Sequence, residues 1–153
     1  MQFGCPSLKR EGYAGKYGGL QMQITRETDY AIRCVYYLAG RLDEVIMVDE
    51  ISKEMHVPKS FLAKIVQKLS RASLVKSYRG VKGGFSLARH PSEISLLDVI
   101  EATQGPILIN ICAVDQKACR LSDTCVIHPV WIDIREQVET MLKKKNFADL
   151  LAS

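Results

Sequence analysis

Apolar residues fall at helical spacing in several separate stretches from about residue 26 onward. Ile32, Val35, Tyr36, Leu38 and Ala39 mark a first helix over about residues 26 to 40, with Gly40 as its stop. A short second helix is expected near Asp49 to Met55, with Asp49 as N-cap and Ile51 and Met55 facing inward. After the turn HVPKS, Pro58 suits the first turn of a third helix running to about Arg71. Leu62, Ile65, Val66 and Leu69 give that helix an i, i+3, i+4, i+7 core stripe.

The pattern then changes period. Val75 to Tyr78 and Phe85 to Leu87 read as two short strands joined by RGVKGG, where Gly80, Gly83 and Gly84 permit the positive φ of a tight hairpin. Ser95 and Asp98 form a capping box opening a fourth helix of Leu96, Leu97, Val99 and Ile100, which stops at Gly105-Pro106. Pro129 opens a longer helix to about Lys145, on which Val130, Ile134, Val138 and Met141 line up, widened by Trp131 and Leu142.

The face of the third helix opposite its core stripe is basic and hydrogen-bonding. Ser60, Lys64, Gln67 and Arg71 fall at i, i+4, i+7 and i+11, with Lys59 and Lys68 beside them. A merely solvated face would look the same, but the hairpin that follows carries Arg79, Lys82 and Arg89 at its tip and flanks. Clustered glycines also suit a phosphate loop, yet no Gly-Lys-Ser/Thr follows and no helix opens there. A helix, a helix-turn-helix and a basic hairpin compose a winged helix. The expected fold is therefore mainly α: a winged helix-turn-helix with a small β-hairpin wing and a long C-terminal dimerisation helix. The broad apolar face of that last helix suits a homodimer, and a tail folded onto its own domain is the alternative.

Charge agrees with this division. Residues 22 to 90 hold twelve Lys or Arg against seven Asp or Glu, a surplus of five, whereas residues 91 to 153 hold six against nine. The basic half wants an anionic partner, double-stranded DNA. Residues 1 to 21 contain five of the ten glycines and no hydrophobic period. They are expected to form a disordered leader, and Met22, where the helical pattern starts, is a candidate native start. The expected units are thus the leader at 1–21, a DNA-binding domain at 22–90, a linking helix and cysteine-rich loop at 91–128, and a dimerisation helix and tail at 129–153. No stretch has the ~18 apolar residues of a membrane span, so the chain reads as cytoplasmic.

Three of the five cysteines lie in CAVDQKACRLSDTCVIHP, residues 112 to 129, among charged residues. Cys34 lies on the apolar side of the first helix as a small hydrophobe, and Cys5 is incidental. In a reducing compartment a cysteine cluster points to metal or redox chemistry. Six residues separate Cys112 from Cys119 and five separate Cys119 from Cys125, wider than a zinc knuckle. Thiolates in a flexible loop suit an iron-sulfur cluster, whose fourth ligand must come from elsewhere. The histidines at 56, 90 and 128 have no partnered nucleophile, so no enzyme is expected.

The stretches TDYAIR, VPKSFLAKIVQKL and RGVKGGFSLAR, with three cysteines before a long helix, make the chain resemble the IscR/NsrR-type winged-helix iron-sulfur transcriptional regulators over Met22 to Leu151. The resemblance implies a homodimer, a cluster held by Cys112, Cys119 and Cys125, and transcription switched by cluster state. The first cysteine gap is one residue longer than the family's usual even spacing, and Ala63 stands where some relatives carry an acidic residue. The function expected is a regulator that senses redox, iron-sulfur status or nitric oxide through a cluster of 2Fe-2S type. The alternative is a cluster-free regulator with a cysteine thiol switch or zinc site. His128, three residues after Cys125, and Asp29 compete as fourth ligand; the shorter loop closure favours His128. His128 capping its helix is the structural alternative. The residues expected on DNA are Lys59, Ser60, Lys64, Gln67, Lys68, Arg79 and Lys82.

Overall fold

A computed structural model describes residues 23–81 and 83–153. The expected leader, Cys5 and Lys82 lie outside the described residues. Helix α1 spans Arg26–Ala39, α2 Val48–Glu54 and α3 Lys59–Arg71; strands β1 and β2 span Val75–Tyr78 and Gly84–Leu87. Helix α4 spans Leu96–Gln104, α5 His128–Lys143 and α6 Phe147–Leu151. The mainly helical architecture with a two-stranded antiparallel wing is that of a winged helix.

Local chemistry sets most boundaries. The Thr25 hydroxyl accepts from the Thr28 N–H and caps α1. Helix α2 begins one residue earlier than its expected cap. Met47 occupies the N-cap without a side-chain bond, and Asp49 sits in the first turn, where its carboxylate faces the positive end of the helix dipole. His56 then adopts φ +53°, and the Val57 N–H reaches back to the Ser52 carbonyl at 3.1 Å, a left-handed close that makes the turn between α2 and α3 tight. Pro58 is the N-cap of α3 rather than its first helical residue, and its carbonyl accepts from Phe61 and Leu62. At α4 the capping box is complete: Ser95 accepts from the Asp98 N–H, and Asp98 accepts from the Ser95 N–H. His128 rather than Pro129 opens α5, which stops at Lys143, short of Lys145.

In the wing, Val75 pairs with Leu87 and Ser77 with Phe85. Ile46 exchanges two 2.8 Å backbone bonds with Phe85, so the segment before α2 covers the hairpin edge. Of the three wing glycines only Gly80 uses positive φ, +106°. Gly84 is needed for a different reason: a Cβ there would collide with the Ile46 carbonyl.

The core joins Ala31, Cys34, Val35 and Leu38 of α1 to Ile51, Val57 and the α3 stripe. Beyond residue 90, Ile94, Val99 and Phe147 enter the same cluster. Phe147, on a short helix the periodicity does not announce, is wholly buried. The segments around it are stitched together: the Leu96 N–H donates to the Lys145 carbonyl and the Phe147 N–H to the Ile94 carbonyl.

Candidate nucleic-acid interface and cysteine loop

Helix α3 buries Leu62, Ile65, Val66 and Leu69 and leaves Lys59, Ser60, Lys64, Gln67 and Arg71 exposed. Ser60, Lys64 and Gln67 therefore form one outward ridge. Lys59 lies at its start and pairs with Asp49 of α2 at 2.8 Å, an exposed contact that a phosphate could replace. Phe61 is partly exposed beside the ridge and braced edge-on by Tyr30, with ring centroids 5.5 Å apart. Arg79 is exposed at the start of the hairpin turn, and Val81 at its tip is fully exposed.

Lys68 departs from the ridge. Its ammonium donates to the Thr103 carbonyl at 2.7 Å and pairs with Glu27 at 3.0 Å, tying α3 to α4 and α1. The signal was present in its spacing, because Lys68 lies three residues after buried Ile65 and next to buried Leu69.

The cysteine loop is built from single 3-10 turns, Ile111–Ala113 and Gln116–Ala118. Cys112 is buried with Ile111 and Ala113, whereas Cys119 and Cys125 are partly exposed. The Ser122 N–H bonds to the Cys119 carbonyl and the His128 N–H to the Cys125 carbonyl, so each of these cysteines heads a turn. Arg135 of α5 reaches back to the Ala113 carbonyl and also pairs with Glu139 at 3.4 Å, fastening the start of the loop to the long helix. Sequence spacing gave no sign of that role.

His128 is buried, and among the described residues neither its Nδ1 nor the buried Ser122 hydroxyl has a hydrogen-bond partner. An orphaned imidazole nitrogen beside a cysteine loop is a donor atom awaiting an acceptor or a metal. It does not serve as a cap, since the N-cap of α5 is Ile127, with no side-chain bond. Asp29 is occupied by Arg33 at 2.8 Å on its own helix. Among the described residues no three Cys, His, Asp or Glu side chains stand close enough together to hold a metal ion. In chemistry the three thiols and the imidazole suit a thiophilic metal group, and holding one would require the loop to draw these donors together. Cys34 lies in the helical core, where burial pushes its thiol up to about 12.

A helix-turn-helix with an exposed basic and amide ridge, followed by a basic wing, defines a DNA-binding transcriptional regulator. The chain belongs to the Rrf2 family, iron-dependent transcriptional regulators, whose family model matches residues 24–153. A helix-turn-helix-type transcriptional regulator of Aquifex aeolicus is 32% identical over 124 residues, covering 80% of this chain and 86% of that one. The transcriptional regulator IscR of Serratia proteamaculans is 28% identical over 131 residues, covering 85% and 79%. Among solved structures, CymR, the global cysteine regulator of B. subtilis, superposes with a TM-score of 0.70 at 25% identity, covering 86% of this chain and 98% of that one. These relatives are transcriptional regulators rather than enzymes. No helix among the described residues is long and apolar enough to cross a membrane.

Proposed function

We propose that the chain is a cytoplasmic, homodimeric operator-binding regulator whose affinity for DNA follows the state of an iron-sulfur cluster, of 2Fe-2S type, held by Cys112, Cys119, Cys125 and His128. The observation that carries this reading is the buried, unpartnered His128 Nδ1 three residues after Cys125. When bound, the cluster would supply sensitivity to oxidants, iron supply or nitric oxide. The protein's part is to present three thiols and an imidazole, and to transmit the tightening of the loop. Homodimerisation rests on α5, where Val130, Ile134 and Met141 remain exposed on one side. Ser60, Lys64 and Gln67 read base edges, while Lys59, Arg79 and Lys82 meet phosphates. The 22–90 segment is the reader and 91–128 the sensor, with dimer contacts from 129 onward.

A second reading has its own support. The partly exposed Cys119 and Cys125 are free thiols, and the likeness to a cysteine regulator suits a cluster-free thiol switch. The absorption spectrum of anaerobically purified protein separates the two. Sulfur-to-iron charge-transfer bands that change in His128→Ala but not in Asp29→Ala support the first reading. A colourless, iron-free protein whose DNA binding responds to reversible oxidation supports the second, and the reverse pattern of the two variants moves the ligand to Asp29.

A further inference from the structure

Helical spacing puts Lys68 beside the DNA-facing ridge, yet its ammonium is spent inside the protein. Thr103 lies in the last turn of α4, where carbonyls lack intrahelical donors and carry the negative end of the helix dipole. Lys68 supplies the missing donor there. Around that contact the polar groups close on one another. The Thr103 hydroxyl bonds to the Val99 carbonyl at 2.8 Å and meets the Thr28 hydroxyl at 2.9 Å, both threonines being buried. The Gln104 Oε1 accepts from the Thr28 hydroxyl and from the Thr25 N–H. Glu27, from the same first turn of α1, completes the set by pairing with Lys68. A three-helix junction thus joins the start of α1, the far half of the reading helix and the end of α4. One residue after Gln104 the chain enters Gly105 and Pro106 and runs on to the cysteine loop.

We propose that Lys68 is a positioning residue for operator recognition and not a phosphate ligand: it fastens the reading helix to the last turn of α4 and thereby carries the state of the cysteine loop to the DNA-facing ridge. The link to loop state rests on the sensing reading above. The charge of Lys68 has two fixed partners within the protein, and the helix end it holds leads directly into the sensor segment. A shift of that helix end on tightening of the loop moves the point at which α3 is held.

The test uses the full chain and a duplex that the unaltered protein enriches from a randomised pool. Affinity is measured over about 50 to 200 mM salt. Lys68→Met should bind about tenfold more weakly, about 1.4 kcal/mol, with the log-log salt slope unchanged, and Lys68→Arg should recover most of the loss. Lys64→Met, by contrast, should lower the slope by about one. A slope lowered by about one in Lys68→Met, or full affinity retained, overturns the proposal. Should Lys68→Met fail to fold, Glu27→Gln carries the same measurement, since it keeps the positive charge and removes one of its anchors; affinity must fall there too with the slope unmoved. In a second arm, alkylation of Cys119 and Cys125 by iodoacetamide is followed by mass spectrometry with and without saturating duplex. Coupling between two sites is reciprocal, so duplex should change the loop's reactivity in the unaltered chain and not in Lys68→Met. An equal change in both overturns the link. No change in either removes the loop-sensing reading and the link with it, while the salt slope still decides separately whether Lys68 meets DNA.

Discussion

The reading helix and the cysteine loop are held in opposite ways. Helix α3 rests on Leu62, Ile65, Val66 and Leu69, all essentially without exposure, and its ridge is presented by a packed core. The loop rests on single 3-10 turns, on a small buried patch of Ile111, Cys112, Ala113 and Ala118, and on Arg135 reaching in from α5. Among the described residues the buried Ser122 hydroxyl and His128 Nδ1 have no hydrogen-bond partner, and neither does the Ser70 hydroxyl on α3. A packed helix can register bases to a fraction of an ångström. A loop held by short-range bonds can rearrange at lower energetic cost than a packed helix, which a sensor needs and a reader must avoid.

The largest blow to the reader should come from outside it. Phe147→Ala empties a wholly buried ring site, and about 3–5 kcal/mol of stability should disappear in denaturant titrations. Val126→Ser, at an 84% exposed loop position, should leave the midpoint unmoved. If the two variants lose stability equally, the contrast between packed reader and loose loop fails.

Next in size, Ile134→Glu should convert dimers to monomers by sedimentation and weaken operator binding by at least about tenfold. Unaltered sedimentation removes α5 as the dimer contact.

Cys34 sharpens the comparison by titration. Its thiol is ordinary near 9.0 in the unfolded chain and is held up to about 12 by burial in the fold. Above pH 9 the unfolded state loses this proton while the folded state keeps it, so stability falls as pH rises, at a rate approaching about 1.4 kcal/mol per pH unit. Tyr37, raised by burial and by its hydrogen bond to Glu50, acts in the same sense at higher pH. Urea midpoints of Cys34→Ala and of the unaltered chain should therefore converge on going alkaline. Parallel curves would mean that Cys34 is accessible, as Cys119 and Cys125 are in part.

The smallest effect is expected at a helix end: Ser95→Ala breaks the capping box and should lower the stability of the fold by about 1 kcal/mol. Thermal melts should report that loss without any change in loop alkylation.

Periodicity made the reader legible because its elements answer to local rules. The stripe of α3, the Ser95–Asp98 box and the hairpin each need only a few neighbouring residues to be read. What local rules leave unread lies where a distant group decides. Lys68 looks like a surface base until Thr103 and Glu27 are brought beside it. Gly84 answers to the Ile46 carbonyl rather than to its own torsions. Phe147 sits in a five-residue helix too short to show a period, and only its partners across the chain explain it. In the loop, cysteine spacing names the donors, but nothing local fixes where the turns point them.

The bridge between Ser95 and Asn146 has a consequence for the length of the chain it spans. The chain leaves at Ser95 and returns at Asn146 on neighbouring backbone positions; within that excursion α4 packs on α1 and α3, and the segment beyond Gln104 closes a loop. Lengthening or shortening such an excursion changes its closure entropy only logarithmically, about 0.6 kcal/mol for each doubling. A change of loop length beyond Gln104 therefore costs the fold little, whereas a change in α4 itself reaches the DNA-facing helix through Lys68.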